Sequence, residues 1–215
     1  MTNNKEKKSS IIKDAIALTI ITVICSFALA FVYEITKTPI KEQEEAKKNA
    51  GYKAVFADAD KLFTDEELVS KAAETDLSAL DSDLAGVTVG DVIQALDENG
   101  NLLGYIVTSK TRGYASTINL AIGYSLDGTV KGIEFLEIGE TVGFGMNADT
   151  PEFKSEFTGV KTDHFIVKKG GGTSDNEIDV VSGATVTTTA VVKAVNGGIA
   201  FLKEYAEGLG GAANE

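Results

Sequence analysis

Nine residues, Asp179 to Thr187, place hydroxyl and small side chains where a strand would end and a helix begin. A short apolar run at 178–181 precedes a Ser-Gly turn, and apolar residues recur at helical spacing from Ala190 onward. The first turn of a helix has unpaired N–H groups and a partial positive charge, which attract phosphate. Gly183 and Ala184 let a ligand approach the backbone closely. The spacing fits a phosphate site, but it also fits the commoner case of a helix N-terminus rich in capping hydroxyls.

The threonines of this segment are poor nucleophiles unless a base activates them. The sequence contains one histidine, His164, and one cysteine, Cys25, so it offers neither a Ser-His-Asp nor a Cys-His arrangement. It also has no Cys or His cluster that could hold zinc or an iron–sulfur centre. We therefore predict no catalytic residues and no metal site within the chain itself.

The elements that would position this segment are predicted to form one α+β domain. Turn signals at 97–101 and 126–128 separate apolar runs, which indicates two hairpins of an antiparallel sheet with one buried face. A helix over 187–206 has an apolar stripe that would cover this face. The stripe of this helix consists of Val191, Val195, Ile199 and Leu202. Residues 54–90 favour short helices and loops.

The N-terminal part predicts a membrane anchor. Residues 15–33 contain no charge, and a helix of this length spans a bilayer. Four lysines precede it, so the positive-inside rule places residues 1–14 in the cytoplasm and the rest outside the cell membrane. A cleaved signal peptide ending near Ala30 is disfavoured by the length of the run. A lipoprotein anchor at Cys25 is disfavoured because Ile24 stands where a small residue is needed.

Charge and composition divide the rest of the chain into a stalk, a domain and a tail. A polar helical stalk at 34–53 follows the membrane helix, then the domain at 54–206 and a Gly-rich flexible tail at 207–215. The net charge is −12 and the only arginine is Arg112, which excludes a nucleic-acid groove and disfavours anionic lipid surfaces. We expect Arg112 at the solvated surface, Tyr114 in the core of the sheet and His164 at a strand edge.

The segment 179–187 resembles a narrower pattern, Asp-x-x-(Ser/Thr)-Gly-Ala-(Ser/Thr)-x-Thr, at every specified position. This is the flavin-attachment signature of the FMN-binding domain family. The resemblance implies that a separate flavin transferase takes FMN from FAD and esterifies its phosphate onto Thr187. It also implies that the other specified residues belong to the cofactor site, namely Asp179, Ser182, Gly183, Ala184 and Thr185.

A second segment, Glu140 to Gly145, carries two glycines one residue apart and could form a tight loop near a ligand, or an ordinary glycine-rich loop. It resembles the Glu-Thr-Pro-Gly-Leu-Gly segment near the flavin in the electron-transport branch of the family. Val142 and Phe144 replace its proline and leucine, and Ile138 replaces a histidine often found before it. The matching residues, which the resemblance assigns to the cofactor site, are Glu140, Thr141, Gly143 and Gly145.

Further similarity, from Tyr33 to Ile40 and from Pro151 to Gly159, is to G subunits of Rnf-type ion-translocating oxidoreductases. It implies an electron-carrying flavoprotein subunit of a complex that couples ferredoxin:NAD electron transfer to Na⁺ or H⁺ translocation. Its partners would be membrane, flavin and iron–sulfur subunits, and it would have no complete active site of its own. An acidic surround would lower the flavin potential.

Three alternatives belong to other classes. The chain could be a C subunit of a Na⁺-translocating NADH:quinone reductase, although such subunits are usually longer. It could be a membrane-anchored FMN module feeding an extracellular reductase, although no catalytic domain is fused to it. It could also be a non-redox binding domain with an unmodified Thr187, which the absence of flavin in native membranes would favour.

Overall fold

The computed structural model describes residues 3–170 and 174–206, with side chains from residue 12 onward. The tail predicted at 207–215 lies outside the described residues. The chain divides into two compact units, 1–47 and 48–215. The second unit contains the sheet and all the residues of the candidate site.

A single helix, α1 (Asn3–Val55), runs through the predicted membrane segment and the predicted stalk without interruption. Proline usually kinks or ends a helix, but Pro39 lies inside this one. Residues 12–55 are long and apolar enough to cross a membrane, and their most apolar window is wholly unburied. The last helix of the chain passes the same test of length and composition, but 72% of its window is buried in the domain.

The domain is built on a six-stranded antiparallel meander. Its strands are β1 (Lys61–Thr64), β2 (Thr88–Leu96), β3 (Leu102–Arg112), β4 (Thr117–Ser125), β5 (Thr129–Glu137) and β6 (Val160–Lys161), paired in that order. The predicted hairpins are present, β2 to β3 and β4 to β5, and Gly100 and Gly128 adopt the positive φ that their turns require.

Smaller elements connect and flank the sheet. The segment before β2 forms α2 (Glu66–Glu74) and two 3-10 turns, as predicted, but also the edge strand β1, which the prediction missed. A 3-10 helix (Gly145–Asp149) and α3 (Pro151–Ser155) follow β5. A separate parallel pair, β7 (Ile166–Lys168) and β8 (Glu177–Asp179), leads to α4 (Thr185–Tyr205).

Helix α4 covers one face of the sheet, as its apolar stripe predicts. Val191, Val195, Ile199 and Leu202 are fully buried in the core that lies against β3 and β4. Gly198 allows the close approach, because a Cβ there would lie 2.9 Å from Ile122 Cδ1. The α+β class with an antiparallel sheet and packed helices is confirmed.

The prediction of a single buried face is wrong, because the end of α1 covers the opposite face. Tyr52, Val55 and Phe56 are buried there in a second apolar cluster. Lys48 Nζ and Tyr52 OH donate hydrogen bonds of 2.9 and 2.7 Å to Asp91 Oδ2 on β2. Burial favours the neutral acid, but these two bonds outweigh it and lower the pKa of Asp91. The sheet side of this cluster consists of Ile93, Ala95, Ile106, Ala121 and Leu136.

Candidate functional site

Thr187 lies in the first turn of α4, and its side chain faces inward. The residue is only 2% exposed, and its Oγ1 donates a hydrogen bond of 2.9 Å to Glu140 Oε2. The two residues are 47 positions apart in the sequence, so the contact joins the two segments that sequence analysis singled out. Their side chains form the floor of the candidate site.

Glu140 is itself nearly buried, at 7% exposure. Its Oε1 accepts hydrogen bonds from the backbone N–H groups of Ala115 (3.1 Å) and Ser116 (3.3 Å) in the turn between β3 and β4. None of the ion pairs formed within the described part of the chain includes Glu140. Three donors therefore face this carboxyl group, which accepts hydrogen bonds through both of its oxygens.

Two glycines leave room for the Glu140 side chain. A Cβ on Gly145 would lie 2.7 Å from both Glu140 Oε2 and Thr187 Oγ1, and a Cβ on Gly113 would overlap Glu140 Oε1. Real Cβ atoms essentially never lie within 3.0 Å of another heavy atom, so a side chain at either position would force neighbouring atoms to shift. Glycine at both positions therefore favours the observed placement of the Glu140 side chain.

The N-terminus of α4 is open toward the site. Ala184 occupies the N-cap position, and no side chain in the described residues caps the helix there. The preceding turn is fixed instead by Thr188, whose Oγ1 accepts from Val181 N–H (3.1 Å) and donates to the Ala184 carbonyl (3.0 Å). The first-turn N–H groups of α4 therefore remain available to an anion.

A cavity of about 550 Å³ lies above this floor. Its mouth is apolar, because it is formed by the side chains of Tyr114, Phe144 and Val186. These residues are 71%, 55% and 53% exposed. Its floor is polar, and Glu140 is the only carboxylate in the lining. The lining residues are Tyr114, Glu140, Thr141, Phe144, Gly145, Gly183, Ala184, Thr185, Val186 and Thr187.

Seven of the ten residues assigned to the site from sequence line this cavity: Glu140, Thr141, Gly145, Gly183, Ala184, Thr185 and Thr187. Ser182, Gly143 and Asp179 do not line it. Gly143 has a positive φ in the loop before the 3-10 helix, and Ser182 lies in the turn before α4. Their roles toward a cofactor stay predictions.

Asp179 is held at the end of β8, where its backbone N–H donates a bond of 2.9 Å to Glu156 Oε2. Burial raises the pKa of the Glu156 carboxyl, and the negative charge of Asp179 raises it further, against the opposing effect of that bond. The Asp179 side chain is exposed. It therefore lies at the surface and does not line the cavity.

The expectation of a core position for Tyr114 is wrong. The residue lies in the turn after β3, and its ring lines the mouth of the cavity. Phe144 and Val186 also line it and were not predicted. Phe144 lies against Gly183, where a Cβ would be 3.0 Å from its Cδ1. Arg112 is exposed, as expected, and its guanidinium donates to the Ala115 carbonyl at 3.4 Å.

Comparison with known proteins agrees with this arrangement. Residues 113–200 match the FMN-binding domain family, and residues 1–55 match the RnfG N-terminal region. The first match includes the three parts of the chain that meet at the site. These are the turn with Tyr114, the loop with Glu140 and the first turn of α4 with Thr187. The fold and the site thus define a class of protein, an FMN-binding domain preceded by an apolar N-terminal helix.

Two relatives identify the family within this class. The G subunit of the ion-translocating oxidoreductase complex of Methanosarcina acetivorans is 28% identical over 203 residues, covering 94% of this chain and 97% of the relative. The G subunit of the Na⁺-translocating ferredoxin:NAD⁺ oxidoreductase complex of Acetobacterium woodii is 30% identical over 199 residues, covering 86% and 88%. The chain belongs to the family of G subunits of ion-translocating oxidoreductase complexes.

A solved structure supports the fold. The C subunit of the Na⁺-translocating NADH-quinone reductase of Parabacteroides distasonis superposes with a TM-score of 0.51 and 19% sequence identity. The match covers 76% of this chain and 93% of that one. At this identity the likeness concerns the fold alone.

Proposed function

We propose that this chain is the electron-carrying FMN subunit of a membrane complex that couples ferredoxin:NAD electron transfer to Na⁺ or H⁺ translocation. The relative from Acetobacterium woodii bears the name of such a complex. The observation that carries the proposal is the buried Thr187 hydroxyl, held by Glu140 at the floor of a cavity inside the FMN-binding region. FMN would be bound covalently, through its phosphate, to Thr187 Oγ1.

The cavity fits an FMN group in size and in chemistry. Small-molecule sites measure roughly 300–1,000 Å³, and the cavity lies within that range. The uncapped first turn of α4 would stabilise the phosphodiester charge. Tyr114 and Phe144 would present apolar rings to the isoalloxazine, and Gly183 would let it approach the backbone. When bound, FMN supplies one- and two-electron redox chemistry, while the protein supplies position and electrostatics.

The chain would act as a relay rather than as a complete enzyme. Its partners would be the other membrane, flavin and iron–sulfur subunits of the complex, together with a flavin transferase during maturation. By the positive-inside rule, the lysines before the apolar segment of α1 support an orientation in which the N-terminus would lie in the cytoplasm and the FMN domain outside the membrane. Covalent attachment would then prevent loss of the cofactor on a side of the membrane that has no FMN pool.

The intact mass of the chain extracted from native membranes tests the proposal. We expect a gain of one FMN less one water, located on Thr187 by peptide mapping and absent in Thr187→Ala. Thr189→Ala is the matched control, because Thr189 lies in the same helix but is exposed, and its hydroxyl donates to the Thr185 carbonyl of its own helix. A native chain left unmodified, where the transferase modifies other substrates, would refute the proposal.

A further inference from the structure

The edge strand β1 has no partner strand on its outer side within the described part of the chain. It is the first strand in the order of the sheet and pairs only with β2. We propose that this edge docks an extended, lysine- or arginine-rich segment of another protein, which adds a strand to the sheet. No residue of β1 lines the proposed FMN cavity, so the inference is independent of the proposed function.

The register shows which backbone groups of β1 are open to a partner. Along antiparallel strands, residues that bond to the neighbouring strand alternate with residues whose N–H and C=O groups point away from it. The Asp65 N–H donates to the Val92 carbonyl at 2.9 Å, and Phe63, two residues earlier, faces β2 in the same way. The N–H and C=O groups of Leu62 and Thr64 therefore point outward. No turn, loop or cap in the described residues bonds to these groups through its backbone, so they form a template for an added strand.

The surface beside this edge suits a long cationic side chain. Phe63 is 66% exposed and, together with Glu66 and Glu67, lines a second cavity of about 510 Å³ next to the strand. The methylene stem of a lysine or arginine packs well on an aromatic ring, while its charged group reaches a carboxylate nearby. An added strand would place every second side chain on this face of the sheet.

Charge determines the kind of segment that fits. Residues 57–98 contain twelve Asp and Glu against two Lys, so most of the chain's net charge of −12 lies here. Six carboxylates flank β1, and the ion pairs within the described residues include only Asp58 and Glu67 among them. A second copy of this chain would bring the same negative charge and be repelled, whereas a basic segment would be attracted. The six are Asp58, Asp60, Asp65, Glu66, Glu67 and Glu98.

The probe is a short acetylated and amidated peptide of alternating lysine and valine, titrated into the full-length chain in detergent. At low salt we expect binding, with slower amide exchange at Leu62 and Thr64, because their outward N–H groups would enter a ladder. Added salt should weaken the binding, because exposed charges are screened. A copy of the peptide that is methylated at every backbone nitrogen keeps the charge but cannot donate to β1. It should bind more weakly by at least about tenfold.

Two variants of one exposed residue locate the docking edge. Thr64→Pro removes an outward N–H group and should weaken binding of the alternating peptide by about tenfold. Thr64→Ala keeps the N–H group and is the matched control, with an affinity within about twofold of the wild type. Thermal unfolding of both variants shows whether the fold is retained.

Each outcome supports or overturns the inference. Absence of binding at low salt would overturn it, and so would equal affinity for the peptide and its methylated copy, since the acidic surface would then attract cations without accepting a strand. Binding that leaves amide exchange at Leu62 and Thr64 unchanged would also contradict it. Should Thr64→Pro fail to fold, the two peptides still decide, because they are tested on the unaltered chain. None of these measurements involves FMN, so their failure would leave the proposed function intact.

Discussion

Gly145 brings two separate chain segments together at the floor of the cavity. A Cβ at this position would lie 2.7 Å from Glu140 Oε2 and from Thr187 Oγ1, so these side chains would have to shift, which would disturb their mutual hydrogen bond. We expect Gly145→Ala to destabilise the apo chain by about 1–3 kcal/mol, the usual effect of overpacking. Flavin attachment should slow with it, because the displaced Thr187 hydroxyl is no longer aligned. Urea unfolding and the attachment rate measure the two effects.

Gly143 provides the control for this substitution. It lies two residues earlier, in the loop before the 3-10 helix that Gly145 begins, with φ of +80°, but a Cβ there would meet no atom within 4 Å. Gly143→Ala should therefore cost about 1 kcal/mol of backbone strain without disturbing Thr187. Attachment as fast in Gly145→Ala as in Gly143→Ala would indicate that the floor adapts to the added methyl group.

The residues of this floor were predictable from sequence, but the contact between them was not. Thr187 and Glu140 were each found from a local pattern, and a local pattern carries no information on a bond across 47 positions. Tyr114 was misplaced because apolar periodicity does not distinguish the last residue of a buried strand from the tip of its hairpin. Gly113 next to it is the signal of a turn that could have located the ring correctly.

Among the elements, α1 does more than provide an apolar N-terminal segment. Its C-terminal end covers one face of the sheet. Asp91 on β2 fixes it through the hydrogen bonds from Lys48 and Tyr52. We expect Asp91→Asn to lower the free energy of unfolding by about 1 kcal/mol, a value reduced by the partial exposure of the pair. Asp60→Asn is the control, because Asp60 is an exposed carboxylate in the loop before β1 and should be neutral to stability.

The effect of Asp91 should depend on pH in a defined direction. Its pKa is lowered in the folded chain, so its contribution is present above the pKa of the unfolded chain and is lost as the pH falls. The difference in unfolding free energy between wild type and Asp91→Asn should therefore shrink from neutral pH toward about pH 3. Denaturant unfolding at several pH values measures it, and a difference that grows on acidification would contradict the assigned shift.

The burial of the second face of the sheet was not predicted from the sequence of its elements. Helix α4 was predictable because its apolar residues keep one period from Val191 to Leu202, over about three turns. For the sheet, alternation suggested one solvated face, yet Tyr105, Ile106 and Val107 are three consecutive buried residues of β3. Such a run is typical of a strand buried on both sides. The covering element was hidden in a segment whose charges resemble those of a solvated stalk.

For the whole molecule, the division into units 1–47 and 48–215 separates the apolar part of α1 from the sheet and the cavity. All ten residues that line the cavity, and both apolar clusters, belong to the second unit. A chain that begins at residue 48 keeps Lys48, Tyr52, Val55 and Phe56, and thus the cover of the second face. We expect a fragment of residues 48–215 to be soluble without detergent, to fold cooperatively and to accept FMN on Thr187 from the transferase.

A fragment that begins at residue 57 is the decisive comparison. It has the same cavity but lacks Tyr52, Val55 and Phe56, which are 6%, 2% and 2% exposed in the intact domain. Full burial of an apolar side chain contributes about 1.5–3 kcal/mol, so the loss of three amounts to about 4.5–9 kcal/mol. Since whole domains are stable by only about 5–15 kcal/mol, this fragment should be largely unfolded or aggregated and should gain little FMN. Circular dichroism, thermal unfolding and intact mass of the two fragments measure the difference. If residues 57–215 folded and took up FMN as well as residues 48–215, the end of α1 would be dispensable to the domain, and the boundary of the cofactor-binding unit would lie after it.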